Sequence, residues 1–322
     1  MCKHSAKDRP RICTLALIAL FVIGNSAPIY GFGTAEPPEC RPAAGSAGFT
    51  APAVAPDTPV LRFYALGDTG TGDAGQAAVA RAMSRFQSEF TAGFVLLLGD
   101  NFYPRGVRST DDRQWRDRFE ELYDSTELNL PFYAVLGNHD YRRNEKAQVE
   151  YTFEHPESRW KMPARYYSFI RELPDGTRIE LFGIDTNTIE TDDPQLNWLS
   201  DALSLSAADW KIVFGHHVLY SNGHYGSDQK LIARLLEVFV RGGVALYLAG
   251  HEHDLQILNP VSGVSYMVSG AGSRTRKTGC SDNTVYSAGL PGFIAFEVSR
   301  NRLLTYVLIA DEGIDYVHTL RK

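Results

Sequence analysis

The chain has 322 residues, of which 44% are hydrophobic and 22% charged, and its formal net charge is −6. That composition excludes wholesale disorder and is enough for a sizeable core, in one large domain or two modest ones. The negative balance argues against non-specific binding to nucleic acid or to an anionic membrane surface.

The first segment stands apart. Lys3, Lys7, Arg9 and Arg11 precede an apolar run from Ile12 to Gly24, shorter than the roughly 18–20 residues a membrane-spanning helix needs. A basic start, a short apolar stretch and small residues (Ser26, Ala27, Gly33, Thr34, Ala35) read as a secretory signal peptide over residues 1–35. Cleavage after Ala35 fits the small-residue rule, whereas cleavage after Ala27 would leave Pro28 first; a retained N-terminal anchor is the alternative. Residues 1–35 hold four Lys/Arg against one Asp, so without them the charge moves from −6 to about −9. Cys2 and Cys13 leave with the signal. Cys40 and Cys280 remain, and in an oxidising compartment they are expected to form one disulfide closing most of the chain, two free thiols being the alternative. A secreted or periplasmic protein is expected, with no stable membrane anchor.

From Glu36 to Pro59 the sequence is rich in Pro, Ala and Gly without apolar periodicity, and reads as an irregular arm. A rhythm begins at Val60 and carries through a domain spanning 60–322. Leu61–Leu66 reads as a buried strand and Ala74–Phe90 as a helix with Ala78, Ala82 and Phe86 on its apolar side. Phe94–Leu98 is a second strand, Arg113–Tyr123 is helix-like, and Phe132–Leu136 is a third strand. Ala164–Ile170 and Ile179–Ile184 flank Pro174-Asp175-Gly176 as a hairpin. Pro194–Leu203 and Leu231–Val240 read as helices, Ile212–Phe214 and Val244–Leu248 as strands. Beyond Leu255 only short alternating runs follow, to Leu320. Strand–helix alternation followed by a meander points to layered α/β sheets with helices outside, in a single domain.

Five strands end in residues that bind metals: Gly67-Asp68, Gly99-Asp100-Asn101-Phe102-Tyr103, Gly137-Asn138-His139-Asp140, Gly215-His216-His217 and Gly250-His251-Glu252-His253. Singly, an Asp after Gly is as often a turn former or helix cap. Together they are different, because the carboxyl ends of strands in an open α/β sheet line one crevice. A glycine before each ligand lets the backbone turn sharply and keeps bulk out of that crevice. Oxygen donors mixed with imidazoles and no thiolate suit first-row transition metals rather than calcium, magnesium or a zinc finger. Seven donors are too many for one ion. Two ions sharing a carboxylate, at roughly 3.5–4 Å, are the arrangement that clamps an in-line displacement at phosphorus.

These motifs, in this order and spacing from Val60 to the mid-290s and including Ser269-Gly270-Ala271-Gly272, resemble the purple acid phosphatases, most closely the small tartrate-resistant type of the calcineurin-like metallophosphoesterases. GDNFY is the most specific, since the wider metallophosphoesterases usually lack that tyrosine. The resemblance implies two mixed β-sheets packed as a sandwich with helices outside. It implies Asp68, Tyr103 and His253 as ligands of a ferric ion, Asn138, His216 and His251 as ligands of a divalent ion (iron, zinc or manganese), and Asp100 as the bridge. It also implies His139 and His224 as substrate-facing proton donors, with Asn138 beside them. The distance from His216 to His224 is one residue shorter than in the mammalian-type enzymes, and Tyr225 adjoins it. Asp140 is expected behind the ligands, orienting a histidine, and His217, Glu252 and Asp185 as structural neighbours. Arg105, Arg142 and Arg143 are candidates for drawing in anionic substrate. Two departures stand out: a short Thr186–Pro194 segment where mammalian-type enzymes carry a long protease-sensitive loop, and Thr69 where relatives often have tryptophan.

The expected activity is hydrolysis of small phosphate monoesters by a metal-activated hydroxide, by an enzyme acting as a monomer, with no covalent phosphoenzyme because no serine or cysteine sits among the motifs. A manganese or zinc phosphodiesterase or nucleotidase would use the same site, and a non-catalytic metal-binding or redox protein is the third reading.

Overall fold

The computed structural model describes residues 40–41, 58–124 and 126–322. The expected signal peptide and most of the expected arm lie outside the described residues.

In chain order the elements are β1 (Leu61–Leu66), α1 (Ala74–Phe90), β2 (Phe94–Leu97), α2 (Arg113–Trp115), β3 (Phe132–Ala134), α3 (Lys146–Glu154) and β4 (Trp160–Lys161). Then come β5 (Tyr167–Glu172), β6 (Arg178–Gly183), α4 (Asp193–Leu205), β7 (Trp210–Phe214), α5 (Gln229–Gly242) and β8 (Leu246–Ala249). A run of strands ends the chain: β9 (Leu255–Val261), β10 (Val264–Ser269), β11 (Thr284–Ala288), β12 (Gly292–Ser299), β13 (Arg302–Ile309) and β14 (Gly313–Arg321). They form two seven-stranded sheets, ordered β14-β13-β12-β1-β2-β3-β4 and β11-β9-β10-β8-β7-β6-β5. Both are mixed: β1–β2–β3 and β6–β7–β8–β10 run parallel, while β12 pairs antiparallel with β1 and β9 with β10.

Alternation along each strand explains the layering. In β7, Ile212 and Phe214 face the other sheet, joining Phe63, Phe94, Leu96 and Phe296 in one buried core, while Val213 faces outward. In β8, Leu246 and Leu248 point inward and Tyr247 outward. The outward set meets Leu199 and Leu203 of α4 and Leu231, Leu235 and Phe239 of α5. Each fully buried Phe or Leu contributes about 1.5–3 kcal/mol relative to exposure. The helices start where carboxylates cap them: Asp73 accepts from Gly75 and Gln76 N–H, Asp192 from Gln195 N–H, and Asp228 from Lys230 and Leu231 N–H.

The regular helix expected over Arg113–Tyr123 is instead one turn, α2, running into a π turn, where the Glu121 N–H donates to the Arg116 carbonyl five residues back at 3.0 Å. Trp115, Phe119 and Tyr123 are buried all the same, packed on Phe102, Phe132 and Trp160. Two elements, α3 and β4, have no counterpart in the sequence pattern. α3 buries Ala147, Gln148 and Tyr151 and exposes Phe153, so its apolar residues do not trace one face.

Cys40 and Cys280 form the expected disulfide, with Cα atoms 5.3 Å apart. Around it Cys40 and Ser287 exchange backbone and side-chain bonds of 3.0 and 2.9 Å, and the Arg41 guanidinium grips Asp315 at 2.9 and 2.7 Å and also contacts Glu312. Replacing both cysteines by serine is expected to lower the unfolding free energy by about 2–5 kcal/mol, measured as an earlier urea midpoint without reductant; an unchanged midpoint would mean the crosslink contributes nothing.

Candidate metal centre

The chain turns sharply just past the ends of β1, β2, β3, β7 and β8, and these turns lie together. Gly67 N–H donates to the Ser269 carbonyl at 2.7 Å, Asp68 N–H to that of Gly99 at 3.0 Å, and Gly250 N–H to that of His216 at 3.0 Å. Space is tight enough that a Cβ on Gly137 would lie 2.2 Å from an Asp100 carboxylate oxygen. Four of the candidate ligands themselves adopt the left-handed conformation: Asp68 (φ 59°), Asp100 (φ 54°), His251 (φ 71°) and His253 (φ 61°). Such residues cost about 1–3 kcal/mol each and gather at functional sites.

The seven expected ligands converge. Tyr103 OH lies 2.7 Å from Asp68 Oδ1, 2.7 Å from Asp100 Oδ2 and 3.1 Å from His253 Nε2. Across Asp100, His216 Nε2 lies 3.5 Å from Asp100 Oδ1, 3.2 Å from Asn138 Oδ1 and 3.1 Å from His251 Nδ1. The donors thus fall into two sets, Asp68/Tyr103/His253 and Asn138/His216/His251, with Asp100 touching both. Backbone acceptors orient the rings: Nδ1 of His216 bonds the Leu98 carbonyl at 2.9 Å, and Nδ1 of His253 bonds that of Arg274 at 3.1 Å. A carbonyl accepts only, so each Nδ1 carries the proton and each Nε2 presents its lone pair inward.

The electrostatics ask for a cation. Asp68 and Asp100 are buried, and burial, then the charge of Asp100, pushes the Asp68 carboxyl well above the usual range. Burial drives His216 well below its ordinary value, His251 to about 2 and His253 to about 4, so the imidazoles are neutral lone-pair donors. One phenolic proton cannot serve two carboxylates and a ring nitrogen at once. Positive ions between the two sets would satisfy this donor chemistry, so the residues fit a dinuclear centre.

Neighbouring residues fall differently from expectation. Asp140 lies behind the ligands and, among the described residues, bonds no histidine: it accepts from the N–H of Gly137 (2.8 Å), Asn101 (3.2 Å) and Phe102 (3.3 Å), tying together the turns that carry Asn138 and Asp100. His139 stands at the site, its ring 4.4 Å from that of Tyr103 and its Nε2 3.9 Å from Asp100 Oδ2. His224 is exposed and its ring meets Tyr225 at 4.8 Å; Tyr225 is the residue stacked on His251, at 4.4 Å. Tyr225 is held there because its N–H donates to Glu252 at 2.9 Å, a role for Glu252 that spacing does not disclose. His217 bonds Thr186 Oγ1 at 2.8 Å yet keeps a nitrogen within 4.8 Å of those of His216 and His251. Asp185 is structural, paired with Arg165 at 2.9 Å and bonded by Tyr141. The arginines lining the cavity beside Tyr103, His139 and His253 are Arg118, Arg274 and Arg276, none of them adjoining a metal motif in sequence, while Arg142 of the expected set bonds the Pro104 carbonyl at 3.4 Å.

A family model described as calcineurin-like phosphoesterase matches residues 61–255. The chain is 33% identical over 242 residues to tartrate-resistant acid phosphatase type 5 of Mus musculus, covering 67% of this chain and 73% of that protein. It is 34% identical over 238 residues to purple acid phosphatase 17 of Arabidopsis thaliana, covering 66% and 69%. Among solved structures, GAP50, "the anchor in the inner membrane complex of Plasmodium", superposes with a TM-score of 0.75 at 24% identity over 82% of this chain and 89% of that one, a likeness of fold.

Because Asp100 touches both donor sets, Asp100→Asn should strip metal from the whole centre, whereas His216→Ala should spare the set around Tyr103. Metal content per chain, measured beside circular dichroism to verify folding, distinguishes them; full metal retention by Asp100→Asn would contradict the shared position.

Proposed function

The chain belongs to the purple acid phosphatases, within the calcineurin-like phosphoesterases, and from that membership we propose how its residues divide the work. It is a binuclear-metal acid phosphatase acting on small phosphate monoesters. In our reading Asp68, Tyr103 and His253 hold a ferric ion, Asn138, His216 and His251 hold a divalent iron, zinc or manganese, and Asp100 belongs to both. The pair of ions, when bound, supplies charge neutralisation at the phosphoryl group and a nucleophile at mildly acidic pH.

The chain's residues do the rest. Asn138, half-buried beside His216, presents an amide to a phosphoryl oxygen. His139 Nδ1 bonds the Pro104 carbonyl at 2.8 Å, so that nitrogen keeps a proton and Nε2 faces the site. A protonated Nε2 there delivers its proton to the departing alkoxide, a role worth about 10²–10⁴-fold in rate. His224, turned out to solvent, carries no step in this reading. The Cys40–Cys280 disulfide supports export to an oxidising compartment, and among the described residues no helix is long and apolar enough to cross a membrane.

The observation that carries the proposal is Tyr103 OH within 2.7 Å of both buried carboxylates, since a phenolate is a strong donor to ferric iron and colours it. Metal analysis with a visible spectrum tests it: iron, a violet band lost in Tyr103→Phe, and hydrolysis of an aryl phosphate are expected. Colourless, iron-free, active protein would favour a manganese or zinc phosphodiesterase. His139→Ala should slow alkyl phosphates by about 10²-fold or more and nitrophenyl phosphate far less, because nitrophenolate leaves without a proton; equal slowing of both would remove His139 from proton delivery.

A further inference from the structure

Among the described residues, two cavities adjoin the donor cluster. One, of about 340 Å³, is lined by His217, Tyr225 and His251 among others. The second, of about 500 Å³, opens on Tyr103, His139 and His253 and is walled beyond them by Arg118, Arg274 and Arg276, with no carboxylate among its walls. That volume is in the range of small-molecule sites, so it has room for a leaving group as well as the phosphoryl being transferred.

The three arginines are not equivalent. Arg274 is exposed and paired with Asp73 at 3.1 Å. Arg118 donates to the Gly70 carbonyl at 3.1 Å. Arg276 has no carboxylate within ion-pair distance among the described residues, and its Nη1 is buried with no hydrogen-bond partner. A buried, unpaired N–H on a charged group is a costly thing to keep. It is also held in place from both sides. The Arg276 backbone N–H donates to the His253 carbonyl at 2.8 Å, and its guanidinium lies 5.0 Å over the ring of Tyr225, which is itself stacked on His251. The chain therefore holds a half-buried guanidinium, near the buried carboxylates of Glu252 and Asp254 but ion-paired to neither, at the wall of the substrate cavity, where planar bidentate recognition of an oxyanion is what arginine does best.

We propose that Arg276, steadied by Tyr225, is a specificity-determining residue that binds a second anionic group on the leaving-group side, so that substrates carrying a further phosphate are favoured over esters of neutral alcohols. This rests on the phosphatase reading above. The chemistry is unchanged: the scissile P–O bond breaks, water supplies the new oxygen, and the leaving oxygen takes the proton. Arg276 only binds.

The test compares wild type, Arg276→Gln, Arg276→Lys and Tyr225→Ala on inorganic pyrophosphate and para-nitrophenyl phosphate, and measures binding of methylenediphosphonate and methylphosphonate to the metal-loaded proteins by calorimetry. Arg276→Gln should lose about tenfold or more in kcat/KM for pyrophosphate, mainly through KM, and about tenfold in diphosphonate affinity. Its loss on the aryl phosphate and on methylphosphonate should stay within about threefold, with Arg276→Lys intermediate and Tyr225→Ala showing the same selective loss. Equal losses on both substrates, or none on pyrophosphate and diphosphonate, would overturn the proposal. If wild type hydrolyses neither substrate, the phosphatase reading fails, while the diphosphonate titration still reports on Arg276.

Discussion

The structure turns on a crowding of acceptors. Asp68 and Asp100, both buried, share the hydroxyl of Tyr103 at 2.7 Å each, and the ring nitrogens of His253 and His216 lie 3.3 and 3.5 Å from their carboxylate oxygens. Bringing two carboxylates out of water side by side is unfavourable unless positive charge stands between them. Holding four of the donor residues in left-handed backbone adds a further penalty. A fold that retains all of this has been shaped around cations, and the rest of the architecture can be understood as what makes the crowding mechanically possible.

Rigidity comes from having the turns grow directly out of buried strands. The two sheets share one core, so the ends of β1, β2 and β3 cannot drift from those of β7 and β8 without opening it. The turns are then locked to one another. Asp140 gathers three backbone donors from two of them, Asn101 reaches Gln148 of α3 at 3.1 Å and the Val135 carbonyl at 2.8 Å, and His251 N–H donates to Asp68 Oδ2 at 2.7 Å across the join between the sheets. Donors held this way keep their geometry before any ligand arrives, which is what electrostatic preorganisation requires.

Much of this was legible in the sequence because each donor directly follows a short, uniformly apolar strand, and strand ends have nowhere to go but the rim. The GDNFY run is legible for the same reason: Asp100 and Tyr103 are three residues apart on one turn, and their side chains meet at 2.7 Å. What was not legible depends on contacts between segments distant in the chain. α3 shows no apolar periodicity because its inward face includes Gln148, whose Oε1 accepts from the Asn101 amide. The family resemblance implied His224 as a second substrate-facing histidine beside His139; in the structure the Glu252 bond to Tyr225 N–H sets the loop so that the tyrosine ring lies on His251 and His224 is exposed. Likewise the arginines adjoining the motifs in sequence are not those in the cavity. Arg276 arrives from the segment after β10, brought in by a bond to the His253 carbonyl.

The interior of the centre is a concentration of acceptors that cations must neutralise; burial and the charge of Asp100 raise the Asp68 pKa, and Arg276 offsets only a small part of that rise. It does not enter the donor set, however: its guanidinium lies over Tyr225 and on the cavity side of His253. Glu252 and Asp254, buried carboxylates outside the donor set, also feel the charge of Arg276, yet neither lies within ion-pair distance of it among the described residues, and Arg276 Nη1 has no hydrogen-bond partner. The most favourable partner left is one that arrives with the substrate. A protein that needed Arg276 only for stability would have paired it, as it pairs Arg165 with Asp185 and Asp192 at 2.9 and 2.8 Å; leaving it open beside an acceptor-rich centre makes sense when the missing oxyanion is part of what the enzyme binds.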